Sequence, residues 1–181
     1  MRGETAVGDA VINRQCKIRH RAHDDGSISR HGTISLATDG EYLVPFGRAE
    51  IRRAGGDVTI VATGWMVSRS IAAAETLAKK GIQAEVIDPR TVAPLDLETI
   101  LKSVAKTGRL VLVDQAPRHA TVTGIIAGDV AEHGFSSLKA PIVQVTARDA
   151  PVPYSEPLET YVIPDEERIV AAVRTVMQDR R

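Results

Sequence analysis

Gly56-Asp57-Val58-Thr59-Ile60-Val61-Ala62-Thr63-Gly64 is the stretch from which the fold is read. Val58 to Ala62 are β-capable and lie between glycines. Both faces of an extended segment there, Val58/Ile60/Ala62 and Thr59/Val61/Thr63, are apolar or hydroxyl-bearing. A strand with one wet face would alternate polar and apolar residues. This one reads as buried on both sides, the pattern of a parallel sheet covered by helices on each face. A Thr-Gly turn and a helical pattern follow at once. Gly64 therefore falls at the carboxyl edge of the sheet, where ligands bind in open α/β folds.

Working outward, Ala49 to Arg53 reads as a short edge strand whose charges face water, and Gly55-Gly56 turns the chain into the buried stretch. Beyond Gly64, Val67, Ile71, Ala74 and Ala78 recur at helical spacing, and Lys79, Lys80 and Gly81 supply a cationic last turn and a stop. Ile82 to Ile87 reads as a second parallel-type strand, less buried because Gln83 and Glu85 alternate with its apolar residues. Asp88 to Asp96 is a loop stiffened by Pro89 and Pro94. Asp96 is placed to cap a helix carrying Leu97, Ile100, Leu101 and Val104 on one face. Leu110 to Val113 is a second strongly buried strand, followed by a helix through Ile125, Ile126 and Val130 and a strand from Ile142 to Thr146. After a proline-rich passage, Pro164 opens a last helix. Asp165, Glu166 and Glu167 suit its amino-terminal dipole, and Ile169, Val173 and Val176 form its buried stripe. The expected architecture is a three-layer αβα sandwich with a mostly parallel sheet of about five strands, the first short strand an antiparallel edge.

Length and charge set the bounds. The 181 residues suit one domain with an appendage, and 23 basic against 23 acidic side chains give no bulk attraction to nucleic acid or an anionic membrane. Cys16 is the only cysteine, which rules out an internal disulfide framework and fits a reducing, cytoplasmic setting. No apolar run reaches the ~20 residues needed to span a bilayer, and the amino terminus has no hydrophobic signal core. Residues 1–40 lack sustained periodicity and read as an irregular, flexible extension, with the domain proper at 41–181. Within the extension, Arg14, Lys17, Arg19 and Arg21 have no interleaved aromatics with which to stack bases. His20, His23, Asp24 and Asp25 have ligand chemistry but no rigid element to arrange it, so they read as a solvated loop.

Three turns follow strand ends: Thr63-Gly64-Trp65, Asp88-Pro89-Arg90, and Asp114 to His119. On neighbouring parallel strands they would meet on one rim. Gly64, Arg90, Arg118 and His119 are its candidate interface or anion-binding residues. The other reading pairs Arg90 and Arg118 with Asp88 and Asp114 or across a subunit interface, and leaves His119, a group able to act as acid or base near neutral pH, as a surface residue. The rim turn has no Gly-x-Gly-x-x-Gly pattern, and the chain has no Walker lysine, no Gly-x-Ser-x-Gly elbow and no paired-cysteine metal signature. No residue is assigned to catalysis, cofactor or metal.

Beyond those single turns, Tyr42 to Met177 resembles the carboxy-terminal, transketolase-type domain of the beta subunit of thiamine-diphosphate-dependent 2-oxoacid dehydrogenases. The matching pieces occur in family order: Val44-Pro45-Phe46-Gly47-Arg48-Ala49, Gly56 to Val61, Asp88 to Asp96, Thr107-Gly108-Arg109-Leu110-Val111, Ala116-Pro117-Arg118, Pro151-Val152-Pro153-Tyr154-Ser155, and Pro164 with Glu167-Arg168-Ile169-Val170. The resemblance implies a domain that builds subunit interfaces and helps dock a dihydrolipoyl acyltransferase core. Thiamine diphosphate is activated by a glutamate in a preceding pyrimidine-binding domain, in partnership with an alpha subunit. This chain begins too late for that domain, so no complete thiamine diphosphate site is expected in it, and the chain alone is expected to be inactive. The family often has glycines after its Pro-Arg where this chain has His119-Ala120-Thr121-Val122-Thr123. The alternatives are a stand-alone binding or assembly module and a small carboxylate-sensing domain using Arg90 and Arg118.

Overall fold

The computed structural model describes Ala10, Val11 and residues 44–178. The expectations for the basic run and the His20 to Asp25 loop lie outside the described residues, as does the 1–40 arm apart from Ala10 and Val11. By internal contacts the chain divides after Phe46. In the first unit, strand β1 (Ala10–Val11) pairs antiparallel with β2 (Val44–Pro45).

The second unit is built on a five-stranded sheet. Its strands are β3 (Glu50–Arg53), β4 (Val58–Ala62), β5 (Ala84–Asp88), β6 (Leu110–Pro117) and β7 (Val143–Ala147), in the order β3-β5-β4-β6-β7. The last four are mutually parallel, and β3 runs antiparallel along β5 with a register shift between Ile51 and Arg53. The expected five-stranded, mostly parallel sheet with an antiparallel first edge is what forms.

The opening stretch is the middle strand, and both its faces are buried as its sequence requires. Val58, Ile60 and Ala62 pack toward α1 (Met66–Ala78) and α5 (Glu166–Gln178), which contribute Met66, Ala73, Leu77, Ile169, Val173 and Val176. Val61, on the other face, joins Ile87, Leu110 and Leu112 beneath α2 (Leu97–Thr107) and α3 (Thr123–Gly134), which supply Ile100, Val104, Ile126 and Val130. Val67 and Ala74 of the expected α1 stripe are buried, but Ile71 and Ala78 are only partly so. The helix is covered by both sheet and α5, which shifts its buried arc toward Met66, Ala73 and Leu77. Close approach explains Gly55: a Cβ there would lie 2.3 Å from the Ala84 carbonyl carbon and 2.4 Å from the Glu85 nitrogen, both main-chain atoms. No helix among the described residues is long and apolar enough to cross a membrane.

One expectation is overturned. The strand at Ala84–Asp88 is not half-wet: Ala84, Val86 and Ile87 have no exposure, and Glu85 is 2 % exposed. Its alternating polar residue faces α2 and not water. The Glu85 carboxylate accepts from the Ser103 hydroxyl at 2.6 Å, pairs with the Lys106 ammonium, and accepts more weakly from the Gly55 N–H at 3.4 Å. Thr59 extends this polar seam, its hydroxyl 2.7 Å from that of Ser103 and 2.8 Å from that of Thr107. A carboxylate taken this far from water requires such partners, because burial alone favours its neutral form. Burial pushes the Glu85 carboxyl up; Lys106, Ser103 and Gly55 outweigh it and hold the group below its ordinary value of 4.5. A seven-residue helix, α4 (Glu156–Val162), also forms in the proline-rich passage where no helix was expected.

Two measurements test this account. Gly55→Ala is expected to destabilise the chain by about 3 kcal/mol, the upper end of ordinary overpacking because rigid main chain must move. An unchanged urea midpoint would show that the entry to β4 can shift freely. Since the folded value of Glu85 is lowered, its stabilisation is complete above 4.5 and is lost as pH falls through the lower folded value. Glu85→Gln should therefore cost about 1–3 kcal/mol at pH 7, and the loss of stability between pH 5 and pH 3 should be shallower in the variant than in the parent. An equal slope would contradict the assignment.

Candidate functional site

Strands β5, β4 and β6 are adjacent and parallel, so the turns after Asp88, Ala62 and Pro117 lie at one edge of the sheet, with Gly64 in the central turn. Gly64 has φ +53°, and a Cβ there would meet nothing within 4 Å. The position calls for glycine through its backbone conformation and not through crowding. The Thr63 N–H donates to the Val113 carbonyl at 3.2 Å, tying the turn to β6, and the Met66 and Val67 N–H groups fold back onto the carbonyls of Thr63 and Gly64. Trp65, just after the glycine, is 37 % exposed, and the Arg69 guanidinium stacks 4.2 Å above its ring. The four-residue separation places these side chains on one face of the first helical turns, a signal that the sequence carries.

Arg90 sits at φ +57°, an unusual conformation for a residue with a side chain. Its N–H donates to the Asp88 carboxylate at 2.9 Å, while its guanidinium, 18 % exposed, pairs with Glu50 on the edge strand. Antiparallel register places Glu50 opposite Asp88, two residues before Arg90. Glu50 also accepts from Arg52 at 2.8 Å. The Arg52 bond first, and then that of Arg90 against the opposing effect of burial, hold its carboxyl below 4.5. The rest of the loop is tied down by Thr91, whose hydroxyl accepts from the Gly47 N–H at 3.0 Å and donates to the Pro94 carbonyl at 2.8 Å across a cis Ala93–Pro94 bond. Asp96 caps α2 as expected. It accepts from the Thr99 N–H at 3.1 Å, and also from the Ala49 N–H at 2.9 Å, which joins the helix start to the approach to β3. Burial would raise the Asp96 carboxyl; the Ala49 and Thr99 bonds lower it below 3.8.

Arg118 and His119 lie in a single 3-10 turn (Arg118–Ala120) after β6, and both are exposed. Asp114 is nearly buried and accepts from the Ala116 N–H at 3.2 Å and from the Thr121 hydroxyl, and Arg118 makes no ion pair with it. His119 Nε2 stands 3.6 Å from Asp149 Oδ2, both side chains largely in water. The rim thus contains an arginine engaged by the edge strand, an exposed arginine and an exposed histidine. The described residues contain no group of three or more His, Cys, Asp or Glu side chains that could hold a metal ion.

For the one engaged rim arginine, a double-mutant cycle of Glu50→Gln with Arg90→Gln is expected to give a coupling of about 1 kcal/mol in urea unfolding, the upper end for a partly exposed pair. A coupling of zero would make the contact incidental.

Comparison with known proteins agrees with the architecture. The beta subunit of acetoin:2,6-dichlorophenolindophenol oxidoreductase from Cupriavidus necator is 48% identical over 148 residues, covering 82% of this chain and 44% of that protein. The beta subunit of the mitochondrial pyruvate dehydrogenase E1 component from Dictyostelium discoideum is 44% identical over 140 residues, covering 77% of this chain and 39% of that one. This chain thus spans less than half the length of either relative. Among solved structures, an inactive β4 tetramer of a split-gene transketolase superposes with a TM-score of 0.68 at 27% identity, covering 81% of this chain and 46% of that one. The family described as the transketolase carboxy-terminal domain matches residues 47–169, most of the chain and nearly all of the five-stranded unit, and the chain belongs to that family.

Proposed function

We propose that this chain is the carboxy-terminal assembly domain of a 2-oxoacid or acetoin dehydrogenase beta subunit. In this reading it is cytoplasmic and contributes to oxidative decarboxylation only in a complex with an alpha-type subunit and a dihydrolipoyl acyltransferase core. The observation that carries the reading is where large apolar side chains remain in water. Trp65, Val92, Val152 and Tyr154 follow the carboxyl ends of β4, β5 and β7, with Val152 70 % exposed and Tyr154 fully so. These are four of ten exposed large apolar side chains among the described residues, the others including Ile51, Ile125 and Phe135 elsewhere on the domain; exposed apolar surface at an edge marks a contact surface, and aromatic side chains of this kind anchor interfaces. Gly64, Arg90, Arg118 and His119 share that edge as its polar component. The beta-subunit relatives support the choice of partner, and thiamine diphosphate chemistry in such an assembly would lie outside the described residues of this chain.

The test is co-purification of the full chain with the alpha-type subunit of an acetoin or pyruvate dehydrogenase. A stable complex is expected, weakened at least tenfold by Tyr154→Asp and unaffected by Lys102→Ala on the exposed side of α2. Absence of a complex at micromolar concentrations, or equal loss from both substitutions, would reject the assembly role. The isolated chain should also show no micromolar affinity for thiamine diphosphate by calorimetry.

A further inference from the structure

At the carboxyl end of β7 two arginines lie within electrostatic reach of each other. Arg148, which follows that strand, donates its N–H to the Val162 carbonyl at 3.0 Å and its Nε to the Tyr161 carbonyl at 3.0 Å. Its guanidinium lies 4.0 Å over the Tyr161 ring. Arg168, in the first turn of α5, donates Nη2 to the Thr146 carbonyl at 2.7 Å. Its Nη1 is buried and has no acceptor. Among the described residues no carboxylate forms an ion pair with either arginine. Asp165, whose charge favours protonated Arg168, already accepts from the Arg168 main-chain N–H at 2.8 Å, and Asp149 is engaged loosely by His119. Burial, and then the charge of Arg148, push the Arg168 pKa down.

A guanidinium presents donors in a rigid fork, and a buried donor without an acceptor is costly. We propose that Arg148 and Arg168 form a binding site for a small oxyanion of the carboxylate or phosphate class, its oxygens bridging the free Arg168 Nη1 and the Arg148 fork. Nη1 has no open surface, so a ligand reaches it only when a neighbouring side chain moves. A small anion suits that route better than a bulky group. The site is distinct from the rim arginines Arg90 and Arg118, and it goes beyond the assembly role.

The experiment is an NMR titration of the full chain with arginine side chains labelled, adding inorganic phosphate or sodium acetate against sodium chloride at matched ionic strength. Saturable shifts of the Arg148 and Arg168 guanidinium signals, with a matching shift of the Tyr161 ring, are expected for the oxyanion and not for chloride. A response to phosphate alone would assign a phosphoryl ligand, and a response to acetate alone a carboxylate. Arg148→Gln, at an exposed position, and the charge-conserving Arg168→Lys should each weaken binding at least tenfold while leaving the circular dichroism spectrum unchanged. Linear shifts, equal shifts with chloride, or full binding by Arg148→Gln would overturn the proposal. Because the chain is titrated alone, that failure would leave the assembly reading untouched, just as a failed co-purification would leave this site untouched.

Discussion

Burial of β4 on both faces is the constraint from which the rest of the five-stranded unit follows. Val58, Ile60 and Ala62 look one way and Thr59 and Val61 the other, and all five are within 1 % of complete burial. A strand in that position needs a helical layer on each side, which is why the flanking segments separate into α1 with α5 and α2 with α3. Parallel neighbours on both sides then bring the turns after β4, β5 and β6 to one edge. The rim is therefore a result of the core and not a separate device.

The two layers are not equivalent. On the α1 and α5 side the contact is apolar apart from the buried Ser70 of α1, whereas α2 meets the sheet through a hydrogen-bonded chain of Glu85, Ser103, Thr59 and Thr107. Apolar surfaces of similar size can slide on one another with little change in energy. A hydroxyl and carboxylate chain satisfied only in one arrangement fixes the axial position of α2. Asp96 adds a second fixed point at the start of the same helix by holding the Ala49 N–H.

What the sequence revealed and what it concealed divide along a physical line. The double-sided strand, the Asp96 cap and the charged edge strand rest on interactions within a few residues or on side-chain period, and these could be read directly. The destination of Glu85 could not be. An alternating carboxylate looks the same whether it points to water or to a polar stripe on a helix that packs later, and only the pairing with Ser103 and Lys106 distinguishes them. The partner of Arg90 was hidden for a related reason. Glu50 lies 40 residues away and reaches the loop only through the antiparallel register of β3 on β5. Asp88, the partner that proximity in sequence suggests, binds the main chain of Arg90 instead. The prolines of residues 151–157 masked α4, although Pro157 falls in its first turn, where proline is tolerated.

The sheet ends differently on its two flanks, and both endings resist growth. On one flank the ladder slips between Ile51 and Arg53, and Arg52 stands exposed beside the irregularity. On the other, the Thr146 carbonyl is already taken by Arg168 from a helix that crosses over it. An added strand would meet a broken ladder and a cation at the first, and an occupied acceptor at the second, so edge-to-edge stacking into fibres is disfavoured. The protein can thus keep large apolar side chains in water at the carboxyl end of its strands without offering a template for uncontrolled association along their sides.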